Sequence, residues 1–351
     1  MTSKAAKSPA IHAILLVGGK GERFWPASTP ERPKQFLKIF SEKSMVAETV
    51  DRISSMIPMT NIHYVLPPHL EALLRQEIKG VKGKNMIIEP EGRNTAPAIA
   101  LAARTLRDKP DAVMAVLPAD HLISPKKTFI SDLKAAVRLA QKDFLVTFGI
   151  PPSRPETGYG YIEIDRNTPL GRREFKVKRF REKPDKRTAK RYLKSGNFFW
   201  NSGMFTWKVS TIIEAFRQHH PQIYKGLLAE RSKEPTKRSY ARLEATSVDY
   251  AIMEKAENVA VVPAKFRWDD VGSWSALERH LHQGLDKNTR IGKLIVLESK
   301  GCIAVAPEGE IALLGVRDLV VVKAKDTVLV CAKDRAADVK KLLARRTPVK
   351  P

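Results

Sequence analysis

Cysteine is nearly absent: Cys302 and Cys331 are the two thiols in 351 residues. Two thiols cannot build a disulfide framework or a Cys-rich metal cluster, and such usage fits a reducing cytoplasm. No stretch approaches the ~20 consecutive apolar residues of a helical bilayer span, so no membrane association is expected. Residues 1–10 are basic but lack the apolar run of a signal peptide and read as a short disordered arm. Acidic side chains are also scarce. Thirty-eight Asp plus Glu face 62 Lys plus Arg, leaving a net charge of +24.

An apolar share of 43% is enough for a sizeable core, and the length allows about two folded units. The positive balance favours polyanionic company: phosphorylated substrates, an anionic surface or nucleic acid. Twelve cations fall between Arg172 and Lys194, opposed only by Glu174, Glu182 and Asp185. This stretch reads first as a solvated basic face, because charge governs association and solubility without identifying a function.

Short β-rich runs alternate with helical patterns along the first half. Ile11–Val17, Ile62–Leu66, 85–88, 112–117 and 144–149 read as strands. Helical spacing appears over 45–57, 69–79, 95–107 and 129–142, with Asn94 or Thr95 as a cap and Pro97 in the tolerated first turn. Alternation of this kind implies βαβ units and a mixed, mostly parallel sheet, an α/β Rossmann-like domain over 11–285. Loops at Gly18, Glu89 and Asp120 then converge on one sheet edge, where such sheets bind ligands. Beyond 150 the strands at 161–164, 175–180 and 203–207 look more antiparallel, and a helix at 248–255 precedes a strand at 259–263. From 286 to 351, runs at 293–297, 302–306, 311–314, 319–323 and 327–331 form a small β-rich, β-helix-like domain, closed by a basic helix at 336–346. It carries no catalytic constellation and is expected to serve packing or oligomer contact.

The first chemical signal follows the first strand: Leu16-Val17-Gly18-Gly19-Lys20-Gly21-Glu22-Arg23-Phe24-Trp25-Pro26. Glycines let the backbone approach a ligand and turn N–H groups towards phosphate oxygens. A dinucleotide fingerprint is excluded because Phe24 stands where a third glycine is required, and no Gly-Lys-Ser/Thr closes a P-loop. Arg23 and Lys34 add fixed cations.

This segment, with Pro33-Lys34-Gln35-Phe36-Leu37, resembles the signature of sugar-1-phosphate nucleotidyltransferases, in particular the mannose-1-phosphate guanylyltransferase branch. Further segments of the resemblance occur in order. They are Glu89-Pro-Glu-Gly-Arg-Asn94-Thr95-Ala96-Pro97, Leu117-Pro-Ala-Asp120-His121, Pro155-Glu-Thr-Gly-Tyr159-Gly160-Tyr161, Glu182-Lys183-Pro184, Trp200-Asn201-Ser-Gly203, and Trp268-Asp269-Asp270-Val-Gly272. The resemblance is dense over about 11–280 and looser in the β-rich tail. Phe24 and Ala27 depart from the leucines common in the pattern, and the phosphomannose isomerase half of longer bifunctional relatives is not expected in this sequence.

The resemblance implies transfer of a nucleotidyl group from GTP to mannose 1-phosphate, giving GDP-mannose and pyrophosphate. Such chemistry asks mainly for positioning and fixed positive charge. By resemblance, Arg23 and Lys34 hold the triphosphate, and Asp120 and Asp270 bind Mg²⁺, which needs only one or two carboxylates besides phosphates. Asp269 is one position off and is expected to project elsewhere. Leu16, Gly18, Gly19, Gly21, Glu89, Asn94 and Thr95 are assigned to the nucleotide, with Glu89 accepting from guanine N1 and N2 hydrogens that adenine lacks. Lys183 neutralises the attacking phosphate, and Tyr159, Gly160, Glu182 and Asn201 contact the sugar. His121 is expected as a structural hydrogen-bond donor, Trp200 and Phe205 as core. A homodimer is expected, with no specific nucleic acid. Another sugar 1-phosphate as substrate, or a non-catalytic nucleic-acid-binding relative, remain the rival readings.

Overall fold

The computed structural model describes residues 9–229 and 236–345, so most of the expected N-terminal arm lies outside the described residues. Among the described residues fifteen strands run in chain order: β1 (Ile11–Leu16), β2 (Ile62–Leu66), β3 (Met86–Ile88), β4 (Val113–Pro118), β5 (Leu122–Ser124), β6 (Leu145–Ile150), β7 (Tyr161–Pro169), β8 (Phe175–Arg181), β9 (Phe198–Lys208), β10 (Val259–Pro263), β11 (Arg267–Asp269), β12 (Thr289–Leu297), β13 (Ile303–Leu314), β14 (Leu319–Ala324) and β15 (Thr327–Ala332). Nine of them form the main sheet in the order β3-β2-β1-β4-β9-β6-β10-β8-β7. The pairings run β8 and β9 against the other seven, so the sheet is mixed, with seven of its nine strands pointing one way.

Both faces of this sheet are covered, which is why β1 reads as an unbroken apolar run instead of an alternating one. Ala13 and Leu15 enter one core with α1 (Met45–Ile53), α2 (Glu71–Glu77) and α4 (Lys126–Ala140). Ile14 enters the opposite core with α3 (Thr95–Thr105) and α6 (Val209–His219). Small side chains along α3, from Ala96 through Ala103, are all buried and let that helix lie close to the sheet.

The strands that end at Leu16, Ile88, Pro118 and Ile150 point the same way, so the loops after them share one edge. A two-stranded ladder, β5 with β11, crosses that edge through Arg267↔Ser124 and Asp269↔Leu122. The sequence does not announce it, because each strand has only three residues, too few to show a period. The basic stretch also proves to be structured. It contains β8 and a helix, α5 (Lys186–Ser195), capped by the Asp185 side chain on Thr188 N–H.

The second sheet, β12-β13-β14-β15, is parallel except for β14 with β15. The expected strands at 302–306 and 311–314 form one long strand, with a register shift against β12 at Gly292/Lys293. The expected closing helix begins instead as a 3-10 turn at Lys333–Asp338 and becomes helical at Val339–Leu343, and Arg346 lies outside the described residues. Ile303, Val305, Val320, Val322, Ala336 and Val339 pack with Phe24, Leu37, Val271 and Trp274 in one shared core. The two units are therefore joined through the underside of the glycine-rich segment. Trp274 braces the first unit's side of this core: its ring lies 4.7 Å from Phe24 and its Nε1–H donates to Trp25 O at 3.1 Å. No helix of the described residues is long and apolar enough to cross a membrane.

Candidate active site

Lys34 is the centre of the edge. It sits on a single helical turn, Lys34–Phe36, entered through Pro33, and only 5% of it is exposed. Its ammonium donates to Asp120 Oδ2 at 2.9 Å and to the Asp270 carbonyl at 2.7 Å, drawing the ends of β4 and β11 onto the glycine-rich segment. Gly21 makes this approach possible. Its φ is +63°, and a Cβ there would overlap the Cβ of Lys34. Gln35 donates to the Gly19 carbonyl at 3.0 Å and so fixes the loop from behind. Phe24 is buried with its ring 5.5 Å from the Lys34 ammonium, which accounts for an aromatic where the family pattern has leucine.

Asp120 and Asp270 each keep one oxygen uncommitted. Asp120 Oδ2 is held by Lys34, while Oδ1 has only His121 Nε2 at 4.0 Å. Burial pushes the Asp120 carboxyl up, but Lys34 and His121 outweigh it and hold the group below the usual carboxylate range. Asp270 Oδ1 accepts from the Tyr159 hydroxyl at 2.6 Å; Oδ2 faces Gly272 beside the Arg23 guanidinium. Burial and then Asp270 push the Tyr159 phenol up, so it stays a donor. Arg23 is exposed, and among the described residues it makes no ion pair. Asp269, by strand alternation, projects the other way. His280 at 2.8 Å and Arg279 at 2.7 Å overcome its burial and hold its carboxyl low. His121 Nδ1 accepts from Trp268 Nε1–H at 3.1 Å, which leaves Nε2, 4.0 Å from Asp120 Oδ1, as the donor nitrogen of the neutral ring.

A cavity of about 800 Å³ opens beside the loop, walled by Gly18, Gly19, Trp25, Pro67, Glu89 and Leu343. Glu89 is buried, and its Oε1 accepts from Tyr240 OH at 3.0 Å and Arg93 N–H at 3.2 Å. Oε2 is turned towards Gly18. Burial raises the Glu89 carboxyl, and these two donors offset it only in part. Leu16, Asn94 and Thr95 have structural duties. The Leu16 carbonyl accepts from Ala119 N–H, Asn94 caps α3 through Thr95 N–H, and the Thr95 hydroxyl accepts from Val248 N–H at 2.9 Å.

Farther along the edge, Glu182 lies against Gly160 so closely that a Cβ on the glycine would overlap Oε2. That Oε2 is buried and, among the described residues, has no hydrogen-bond partner, whereas Oε1 pairs with the Lys183 ammonium at 3.0 Å. Asn201 accepts at Oδ1 from Thr147 OH at 3.0 Å and donates from Nδ2 to Asp249 Oδ1 at 2.8 Å. Trp200 and Phe205 are buried, as expected of core residues. Asp249 and Tyr240 were missed in the sequence. Neither belongs to a motif with its own chemical signature; an acid in the apolar run from Val248 to Met253 was the one available hint.

The nucleotidyl transferase family matches residues 12–286, and the mannoseP isomerase/GMP-like β-helix domain matches residues 292–345. Alginate biosynthesis protein AlgA of Pseudomonas putida is 34% identical over 320 residues, 87% of this chain and 65% of that protein. A mannose-1-phosphate guanylyltransferase of Klebsiella pneumoniae is 37% identical over 343 residues, 93% of this chain and 72% of that protein. The chain thus spans about two thirds of the length of such curated relatives. A solved structure described as a mannose-1-phosphate geranyltransferase from Thermus thermophilus superposes with a TM-score of 0.89 at 36% identity. The match covers 95% of this chain and 98% of that one. This chain belongs to the nucleotidyl transferase family.

Asp249 gives this edge a measurable pH signature. Burial, then the Glu182 carboxylate, raises its pKa from an ordinary 3.8 to about 6. The folded state therefore binds the proton more tightly than the unfolded chain, so stability falls as pH rises from about 4 to about 6 and is level above that. Asp249→Asn removes this decline and stabilises the protein at pH 7 by about 1–3 kcal/mol. Urea denaturation at pH 4 and pH 7 checks it: an equal pH dependence in variant and wild type assigns the decline to other groups.

Proposed function

We propose that this nucleotidyl transferase acts in the cytoplasm on GTP and mannose 1-phosphate, producing GDP-mannose and pyrophosphate. The observation that carries the reading is the Lys34 ammonium joined to Asp120 and Asp270 at the mouth of the glycine-rich loop, with Arg23 beside them. A phosphate oxygen of the sugar phosphate attacks the α-phosphorus of GTP, the new P–O bond forms, and the α–β bridge breaks with its electron pair leaving on pyrophosphate. Arg23 and Lys34 offset charge on the triphosphate and the leaving group. The attacking oxygen is already ionised, so no side chain has to remove a proton.

Members of this family generally use a divalent metal, and the donor set suits Mg²⁺. Two carboxylates, each with an oxygen left over, match an ion that takes one or two protein ligands and fills the rest with water and phosphate. Asp120 and Asp270 would hold it, and when bound it screens the phosphate charges. Lys183, on a backbone with φ of 46°, would meet the sugar phosphate, and the orphaned Glu182 Oε2 would accept from a sugar hydroxyl with Asn201 beside it. Gly18, Gly19, Gly21 and Glu89 Oε2 would receive the nucleotide. Asn94 and Thr95 would contribute through the backbone they hold.

Nucleic acid is the weaker partner for the basic stretch. Nine of its twelve cations divide between β8 and α5, and several of the twelve are already paired: Arg173 with Asp132, Arg179 with Glu163, Lys183 with Glu182. A second copy of the chain is the better macromolecular partner. Ile295, Leu297 and Leu314 are more than half exposed, and Leu297 lies opposite Leu314 in the ladder.

Pyrophosphate release across nucleotide and sugar 1-phosphate pairs tests the activity. GTP with mannose 1-phosphate is expected to be the best pair, and Asp120→Asn and Asp270→Asn should each lower kcat by at least about 100-fold. Full activity of either variant at limiting Mg²⁺ removes that residue from the metal site. Lys183→Ala should raise KM for the sugar phosphate and lower kcat with KM for GTP unchanged, whereas Lys186→Ala stays within about twofold, as exposed charges do. Identical behaviour of the two variants would return Lys183 to the solvated surface. Light scattering should give a dimer that Leu297→Glu dissociates; a monomeric wild type refutes the self-association.

A further inference from the structure

We infer that the C-terminal unit is a working part of the nucleotide site, because Leu343 forms an apolar wall for the nucleoside half of the bound nucleotide. The inference rests on the cavity beside Gly18 and Gly19 being the nucleotide pocket. Helical spacing makes the placement. Val339 and Leu343 are one turn apart on the same face of the terminal helix. Val339 is 2% exposed in the shared core with Phe24 and Trp274, which seats the helix on the turn that carries Arg23. One turn further on, that same face arrives at the cavity, where Leu343 shares the lining with Glu89. The residue before it, Leu342, is 49% exposed and is no part of the wall. Lys341 is turned back to Asp338 at 2.7 Å.

The cavity has the chemistry of a nucleoside site. Its volume of about 800 Å³ suits a nucleotide-sized ligand, and Trp25, Pro67, Leu70 and Leu343 offer apolar faces to a flat base or a ribose. Polar side chains, among them Lys20, Ser28, Thr29, Glu31, His69 and Glu89, share the lining with the glycine backbone. Leu343 thus shields the nucleoside from water at a point that the catalytic sheet leaves open, and it comes from a unit that carries none of the phosphate-binding groups.

The test compares point variants of the full chain, because removing the unit would expose the shared core. Leu343→Ala should raise the Kd for GTP, measured by calorimetry, and the KM for GTP by about five- to tenfold. Its kcat at saturating GTP and its KM for mannose 1-phosphate should stay within about twofold. Leu343→Met, which keeps an apolar side chain of similar volume, should restore wild-type values, and Leu342→Ala should leave them unchanged. Thermal melting of each variant reads any loss of folding separately. A Leu343→Ala variant that binds GTP as tightly as wild type overturns the inference. A wild type that binds GTP without releasing pyrophosphate overturns the functional reading alone, and one that fails to bind GTP overturns both.

Discussion

A buried ammonium cannot be left unpaired, and the site is organised around that constraint. Lys34 is almost wholly removed from water, so its charge must be met inside the protein. Asp120 and the Asp270 carbonyl meet it, and this single requirement draws together the segment after β1, the end of β4 and the loop after β11. Removing one partner of a buried ion pair typically costs ~3–5 kcal/mol, because the remaining charge stays stranded. The same geometry leaves a carboxylate oxygen free on each acid. Structural pairing and chemical readiness therefore coexist at one point, each acid committing one atom to the fold and keeping the other.

Much of the sheet was legible because its signal is local. Runs such as Ile62–Leu66 and Val259–Pro263 are apolar, β-branched and bounded by breakers, and their limits agree with the structure. What escaped notice depends on distant partners. The β5–β11 ladder joins two three-residue strands that have no pattern of their own. Helix α5 lies in a sequence so cationic that charge obscured its spacing, although Asp185 ahead of Thr188 is a cap signal. Gly309 interrupts β13 in sequence, yet its φ of 98° is accommodated at an irregularity of the ladder, so two expected strands are one.

The site residues divide along the same line. Lys34, Asp120 and Asp270 were named from motifs, and the structure brings them together. No motif announces Asp249 or Tyr240, which act on Asn201 and Glu89 across 48 and 151 residues of chain. Nor did any sequence pattern show that the Thr95 hydroxyl is already taken by the backbone of Val248. The excess of positive charge follows this pattern too. Read as one block it suggests a polyanion surface, but Arg173, Lys178, Arg179 and Lys183 are paired with Asp132, Glu163 and Glu182.

The contact between Lys34 and the Asp270 carbonyl spans 236 positions. During synthesis the first five strands and their helices emerge long before the acid loop that completes the edge. A nascent chain at that stage contains both Lys34 and Asp120 but lacks the carbonyl that takes the second donor direction of the ammonium. Contacts of such sequence separation pay their loop-closure entropy late. The edge therefore cannot be complete until Asp270 has left the ribosome, and a translation product that ends between Asp120 and Asp270 carries only one of the two carboxylates.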